Sequence, residues 1–199
     1  MYEDQYCTEG TIDQAWQSDQ FESIRNAFRQ NQRHPACNTC WHQESVTDRS
    51  QRTAFTQKQS LLGNPPTDEA EIRTISWSFG NTCNFACRTC SLDASTGWLR
   101  ETEQLAAEGD AEAQALLDKH TKTQWDYTEW AQIEPLLHSV VYFDIIGGEP
   151  LINPRLPAML DRIIEAGHAD HITLMITTNG STGPTERWVS RLQQFKKLI

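Results

Sequence analysis

The chain has 199 residues, 38% of them hydrophobic, and a mean hydropathy of −0.61. That is enough to bury a core and to form one or two domains. No apolar run approaches the roughly 20 residues of a membrane-spanning helix, so no membrane partner is expected. A formal net charge of −10 argues against nucleic acid as a partner, although Arg49, Arg52 and Lys58 could form a local basic patch.

The first residues, Met1 to Cys7, are acidic and carry no apolar signal segment, which predicts a cytoplasmic protein. In that setting six cysteines favour metal or redox chemistry over disulfides. Ile12, Trp16, Phe21, Ile24 and Phe28 then recur at helical spacing, and Ser18 or Asp19 is placed to cap a helix carrying Phe21 to Arg29. Next comes Cys37-Asn38-Thr39-Cys40-Trp41-His42. A CxxC turns two sulfurs back onto one ion with little strain. With Cys7 as third ligand and His42 as fourth, the set fits zinc or an iron–sulfur cluster; a small redox pair or a chance pair is the alternative. Residues 1–53 therefore read as a small helical Cys-rich metal module. Residues 54–70, with Gly63-Asn64-Pro65-Pro66-Thr67-Asp68, read as a linker.

From residue 71 strands alternate with helices, giving an α/β fold of order β–α–β–α–β–α. The first strand, 72–79, leads into Cys83-Asn84-Phe85-Ala86-Cys87-Arg88-Thr89-Cys90, a CxxxCxxC. Three thiolates in one loop can hold three irons of a 4Fe–4S cluster and leave the fourth iron open. A closed electron-transfer cluster, like most structural zinc, uses four protein ligands. A helical stretch follows from 91 to 117, broken at Gly109-Asp110, its acidic residues forming a solvated face. A short helix is predicted over 129–137. Residues 140–146 are apolar on both faces, as a buried parallel strand is, and end in Gly147-Gly148-Glu149-Pro150. Leu156, Met159, Leu160, Ile163 and Ile164 mark an amphipathic helix closed by Gly167. Residues 172–178 form the third strand, ending at Asn179-Gly180, and 186–198 the last helix. Taken singly, the double glycine is a turn before a helix and Thr178-Asn179-Gly180 a strand-ending turn. His120, His138, His168 and His171 read as surface or core-edge residues.

Taken together, Cys83, Cys87 and Cys90 after one strand, Gly147-Gly148-Glu149-Pro150 after the next and Thr177-Thr178-Asn179-Gly180 after the third resemble the radical S-adenosylmethionine (radical SAM) superfamily over residues 71–199. The first region is similar to the SPASM or twitch modules that accompany such enzymes, through Ile12 to Ser18, Phe21 to Arg25, Cys37 to Cys40, and Glu44, Ser50 and Arg52. The resemblance implies a βα barrel in which Cys83, Cys87 and Cys90 ligate a 4Fe–4S cluster. S-adenosylmethionine (SAM) chelates the open iron, and one electron cleaves it to methionine and a 5′-deoxyadenosyl radical that abstracts hydrogen. Gly147, Gly148 and Glu149 would contribute to the site for the SAM amino group, the glycines by admitting backbone close to the ligand. Asn179 is a further candidate ligand, Phe85 would give apolar cover, and Trp77 and Trp98 would flank the cluster. Cys37, Cys40 and Cys7 would bind a second iron–sulfur cluster or zinc. The implied partners are a peptide or protein substrate and an electron donor such as ferredoxin or flavodoxin.

Two departures bear on this. Thr89 stands where the family often has an aromatic residue before the third cysteine. The family barrel has about six βα units, whereas three are read here, so a partial barrel with an unpaired third strand is expected, as in a fragment or a chain completed by a partner. The rival from another class is a non-catalytic zinc-binding interaction module, and a third reading is an inactive remnant.

Overall fold

A computed structural model describes residues 10–61, 63, 70–122, 130–183 and 185–199. It divides into two compact units, residues 1–71 and 72–199.

The first unit is helical: α1 (Ile12–Trp16), α2 (Asp19–Arg29), a 3-10 turn at Pro35–Cys37, α3 (Asn38–Thr47) and α4 (Gln51–Leu61). Local chemistry sets its helix ends. Thr11 and Gln14 form a reciprocal capping box at α1. Of the two candidate caps for α2 it is Ser18 that serves, its hydroxyl accepting from the Phe21 N–H at 3.4 Å. Asp48 stops α3 by entering the left-handed region at φ 57°. Residues 54–61, read from sequence as linker, belong to α4. That segment lacks Gly and Pro and is rich in helix-tolerant Gln, Lys and Ala, but has too few apolar positions to display a helical stripe.

The second unit is α/β. In chain order it runs β1 (Thr74–Ser78), α5 (Leu99–Ala107), α6 (Ala111–Lys122), α7 (Trp130–Ile133), β2 (Tyr142–Ile146), α8 (Leu156–Glu165), β3 (Thr173–Ile176), α9 (Glu186–Leu192) and β4 (Lys197–Leu198). The four strands form one sheet in the order β1-β2-β3-β4, parallel throughout, with Ile75 opposite Phe143 and Phe143 opposite Leu174. Phe143, Ile145 and Leu174 are fully buried, as are Leu156, Leu160 and Ile163 of α8. A four-stranded parallel sheet with helical crossovers is thus the α/β fold observed among the described residues.

The end of the chain differs from expectation. The last helix stops at Leu192, and Lys197–Leu198 pairs with β3, Thr173 lying opposite Lys197 and Leu174 opposite Leu198. The Ile199 N–H adds a bond of 2.9 Å to the Leu174 carbonyl. The unfilled hydrogen-bonding edge of β3 overrides the helical pattern of the sequence, and β3 is not an edge strand.

Candidate functional site

All three motif loops leave the carboxyl ends of adjacent parallel strands, so the strand order alone brings them to one edge of the sheet. The loop after β1 carries Cys83, Cys87 and Cys90, whose thiols are free, with Cys87 exposed and the other two half-buried. Its backbone is pinned from within. The Thr96 hydroxyl accepts from the Cys83 N–H at 3.0 Å and donates to the Cys83 carbonyl at 3.1 Å. The Ser95 hydroxyl donates to the Phe85 carbonyl at 2.5 Å, the Trp98 indole N–H to the Cys87 carbonyl at 3.1 Å, and the Cys90 N–H to that same carbonyl at 2.9 Å. At the base of the loop, Asn81 donates to the Leu92 carbonyl at 3.0 Å, and its amide lies 3.2 Å from His120 Nδ1 on α6. Trp98 therefore sits by the cysteines as expected. Trp77 is half-buried; it stacks on Trp130 at 6.4 Å and meets Phe143 edge-on.

The double glycine after β2 is dictated by this cysteine loop. Gly147 and Gly148 have φ of 93° and 58°. A Cβ on Gly147 would lie 2.6 Å from the Gly80 carbonyl oxygen, and one on Gly148 would collide with the Thr82 carbonyl. The Glu149 N–H donates to that Thr82 carbonyl at 2.7 Å. Sequence reasoning assigns the glycines to close approach of a ligand; the neighbour they admit here is the backbone of the cysteine loop.

Glu149 is fully buried, and its carboxylate is engaged by protein donors. It accepts from the Thr178 hydroxyl at 2.8 and 2.9 Å, the Asn179 N–H at 2.6 Å and the Leu151 N–H at 3.0 Å. It thus caps the 3-10 turn Pro150–Ile152 and ties the loop after β2 to the loop after β3. Asn179 completes the circuit: its side-chain amide donates to Asn84 Oδ1 at 3.1 Å and lies 3.7 Å from Cys83 Sγ. Phe85, 43% exposed, belongs to the same loop, and its N–H lies 3.5 Å from Cys83 Sγ. Cys83, Phe85, Gly147, Gly148, Glu149 and Asn179 are therefore one connected cluster, with Cys87 and Cys90 on the same loop.

Thr96 and Ser95 escape a sequence reading, because hydroxyl groups that fold a loop carry no fixed spacing, while half-buried His120, a surface or core-edge residue from sequence, lies at the base of the loop. Thr178 lies inside a motif that the sequence does display. Among the described residues no three His, Cys, Asp or Glu side chains are already gathered as a metal-binding group. The donor set is three free thiols on a single anchored loop, the soft ligand chemistry that suits iron–sulfur clusters and zinc.

In the first unit Cys37 closes the 3-10 turn and Cys40 lies in the first turn of α3, both half-buried. Burial pushes the Cys37 thiol pKa up from its usual 9.0; nearby Cys40 adds to the rise and Arg52 opposes it. Glu44 accepts from Arg52 at 3.0 and 2.5 Å and from the Ser50 hydroxyl at 2.5 Å. The hydrogen bonds from Arg52, and then from Ser50, hold the Glu44 pKa below its ordinary value. The Arg52 guanidinium lies 4.3 Å from the Trp41 ring centroid. Glu44, Ser50 and Arg52, singled out in the sequence, thus converge beside the CxxC helix. His42 is exposed and two residues beyond Cys40 on α3, about 200° around the helix, so it does not share the Cys40 face. Cys7 lies outside the described residues.

Among the described residues no helix is long and apolar enough to cross a membrane. Compared with protein-family models, curated proteins and solved structures, the chain matches none.

Proposed function

We propose that the second unit is the catalytic-cluster part of a radical SAM enzyme, with Cys83, Cys87 and Cys90 as ligands of a 4Fe–4S cluster. The observation that carries this reading is the linkage of three strand-end loops. The cysteine loop, the double-glycine turn and the Thr178-Asn179 turn are joined through Thr82, Glu149 and Asn179 at the carboxyl edge of one parallel sheet. Structural zinc requires a set of ligands; it does not require a glycine turn built against the cysteine loop and locked to a third strand. Bound there, such a cluster would supply the electron for reductive cleavage of SAM to methionine and a 5′-deoxyadenosyl radical for hydrogen abstraction.

The residues of this chain have separable parts in that reading. Thr96, Ser95 and Trp98 fix the backbone at Cys83, Phe85 and Cys87, so the thiols start from a restricted set of positions. Gly147 and Gly148 seat the second loop against the first. Glu149 spends its oxygens on that framework, which leaves the backbone carbonyls of its turn as acceptors for an amino group. Exposed Phe85 offers apolar cover beside the cysteines. Cys37 and Cys40, together with Cys7, form a second metal centre, zinc or iron–sulfur, in this proposal. A peptide or protein substrate and a small electron-transfer protein complete the proposal.

Anaerobic reconstitution with ferrous iron and sulfide, followed by EPR of the dithionite-reduced protein with and without SAM, tests it. The expected result is a reduced 4Fe–4S signal that SAM alters and that Cys83→Ala abolishes. Retention of zinc only, with no SAM-sensitive signal, overturns the enzyme reading in favour of a zinc-binding module or an inactive remnant.

A further inference from the structure

We infer that Asn179 is a positioning residue for the Cys83 sulfur, whose amide N–H bond to that sulfur raises the reduction potential of the cluster. The inference rests on the iron–sulfur reading above and adds to it a determinant from a different strand.

The geometry fixes which end of the amide faces the sulfur. Asn179 Oδ1 accepts from the Ser181 N–H at 2.9 Å. Its Nδ2 is thereby directed to Asn84 Oδ1 at 3.1 Å and Cys83 Sγ at 3.7 Å. Rotating the amide by half a turn would set oxygen against oxygen at Asn84 and NH2 against N–H at Ser181, so the orientation is determined by its partners. Asn84 is itself held, donating to the Ser181 hydroxyl at 2.9 Å. The Asn179 backbone is anchored on the buried Glu149 carboxylate at 2.6 Å. An exposed asparagine is thus restrained on three sides and aimed at one cysteine.

A donor to a ligating sulfur stabilises negative charge there. Reduction adds one electron to the cluster, so the reduced form gains more from the bond than the oxidised form does, and the potential rises. The Phe85 N–H, 3.5 Å from the same sulfur, adds a backbone donor that side-chain substitution leaves in place. Removing Asn179 therefore reduces the effect without erasing it.

The test uses the full chain, reconstituted anaerobically with ferrous iron and sulfide and titrated with dithionite while EPR reports the reduced fraction. Asn179→Ala should lower the ratio of reduced to oxidised cluster at a fixed potential about tenfold, which is about 59 mV for a one-electron couple. Asn179→Asp keeps an acceptor for Ser181 but replaces the donor with an anion, and should lower the ratio further. Iron content should match wild type in both. Equal potentials in all three proteins, or a potential restored in Asn179→Asp, would overturn the inference. If the wild-type chain takes up no iron, the radical SAM reading fails by itself. Cobalt(II) bound to the three thiols then tests Asn179 alone. The sulfur-to-cobalt absorption band moves to lower energy in Asn179→Ala if the amide donates to Cys83, and a band that does not move rejects the contact.

Discussion

Glu149 separates two meanings that one residue can have in a motif read as a ligand site. A carboxylate placed to receive a ligand would show oxygens open to the site, whereas Glu149 is fully buried and accepts from Thr178, Asn179 and Leu151. Its first task is to hold the loops after β2 and β3 together. Glu149→Ala would take the acceptor from the N–H groups of Asn179 and Leu151 in a part-buried setting, at a cost of about 1 kcal/mol for each hydrogen bond lost. Urea denaturation should therefore show a lower midpoint for this variant, and an unchanged midpoint would mean that these hydrogen bonds add no net stability. Much of this cluster is legible from the sequence, since Cys83, Gly147, Gly148, Glu149 and Asn179 all announce themselves by motif. What the motif does not display is the partner of each. Nothing in a double glycine tells a bound ligand from the Thr82 carbonyl, and only the crossing of two chain segments decides it.

At the scale of elements the legible parts are those where burial and periodicity agree. The apolar run at residues 140–146 contains β2, because a central parallel strand is covered on both faces. The pattern at 156–164 lies within α8, whose Leu156, Met159, Leu160 and Ile163 are buried. Illegible parts are those where backbone pairing outweighs side-chain pattern: β4 is two residues long and stands outside α9, with Phe195 buried between them. The packing of α8 against α9 has a polar lock as well. Arg191 donates to Asp161 at 2.6 and 2.8 Å, and this hydrogen bonding holds the Asp161 pKa below its ordinary 3.8. A depressed folded-state pKa means that the pair stabilises the fold above about 3.8 and stops doing so as pH falls through the lower, folded value. Because the pair is partly exposed, Arg191→Ala should cost about 0.5–1 kcal/mol near neutral pH. The gap from wild type should close in acid, where Asp161 is protonated in both folded and unfolded chains. Denaturation midpoints at several pH values measure this; a gap that persists in acid would mean that Arg191 acts through packing of its stem.

For the whole molecule, the division at residue 71 assigns the two cysteine groups to different units. Cys37 and Cys40 are framed by Trp41, Glu44 and Arg52 in a helical unit, while Cys83, Cys87 and Cys90 belong to a sheet edge framed by Glu149 and Asn179. Each group has its own local supports, which come from within its unit. If the proposed centres form, the two should therefore be chemically separable, because the supports described for each cysteine group belong to its own unit. Cys37→Ala/Cys40→Ala should lower the metal content of the reconstituted chain and still give the SAM-sensitive EPR signal. Cys83→Ala should remove that signal and spare the metal of the first unit. Metal analysis and EPR on the two variants side by side decide the matter. Loss of the SAM-sensitive signal from the first variant would overturn this separation, and with it the proposal that Cys83, Cys87 and Cys90 hold their cluster independently of Cys37 and Cys40.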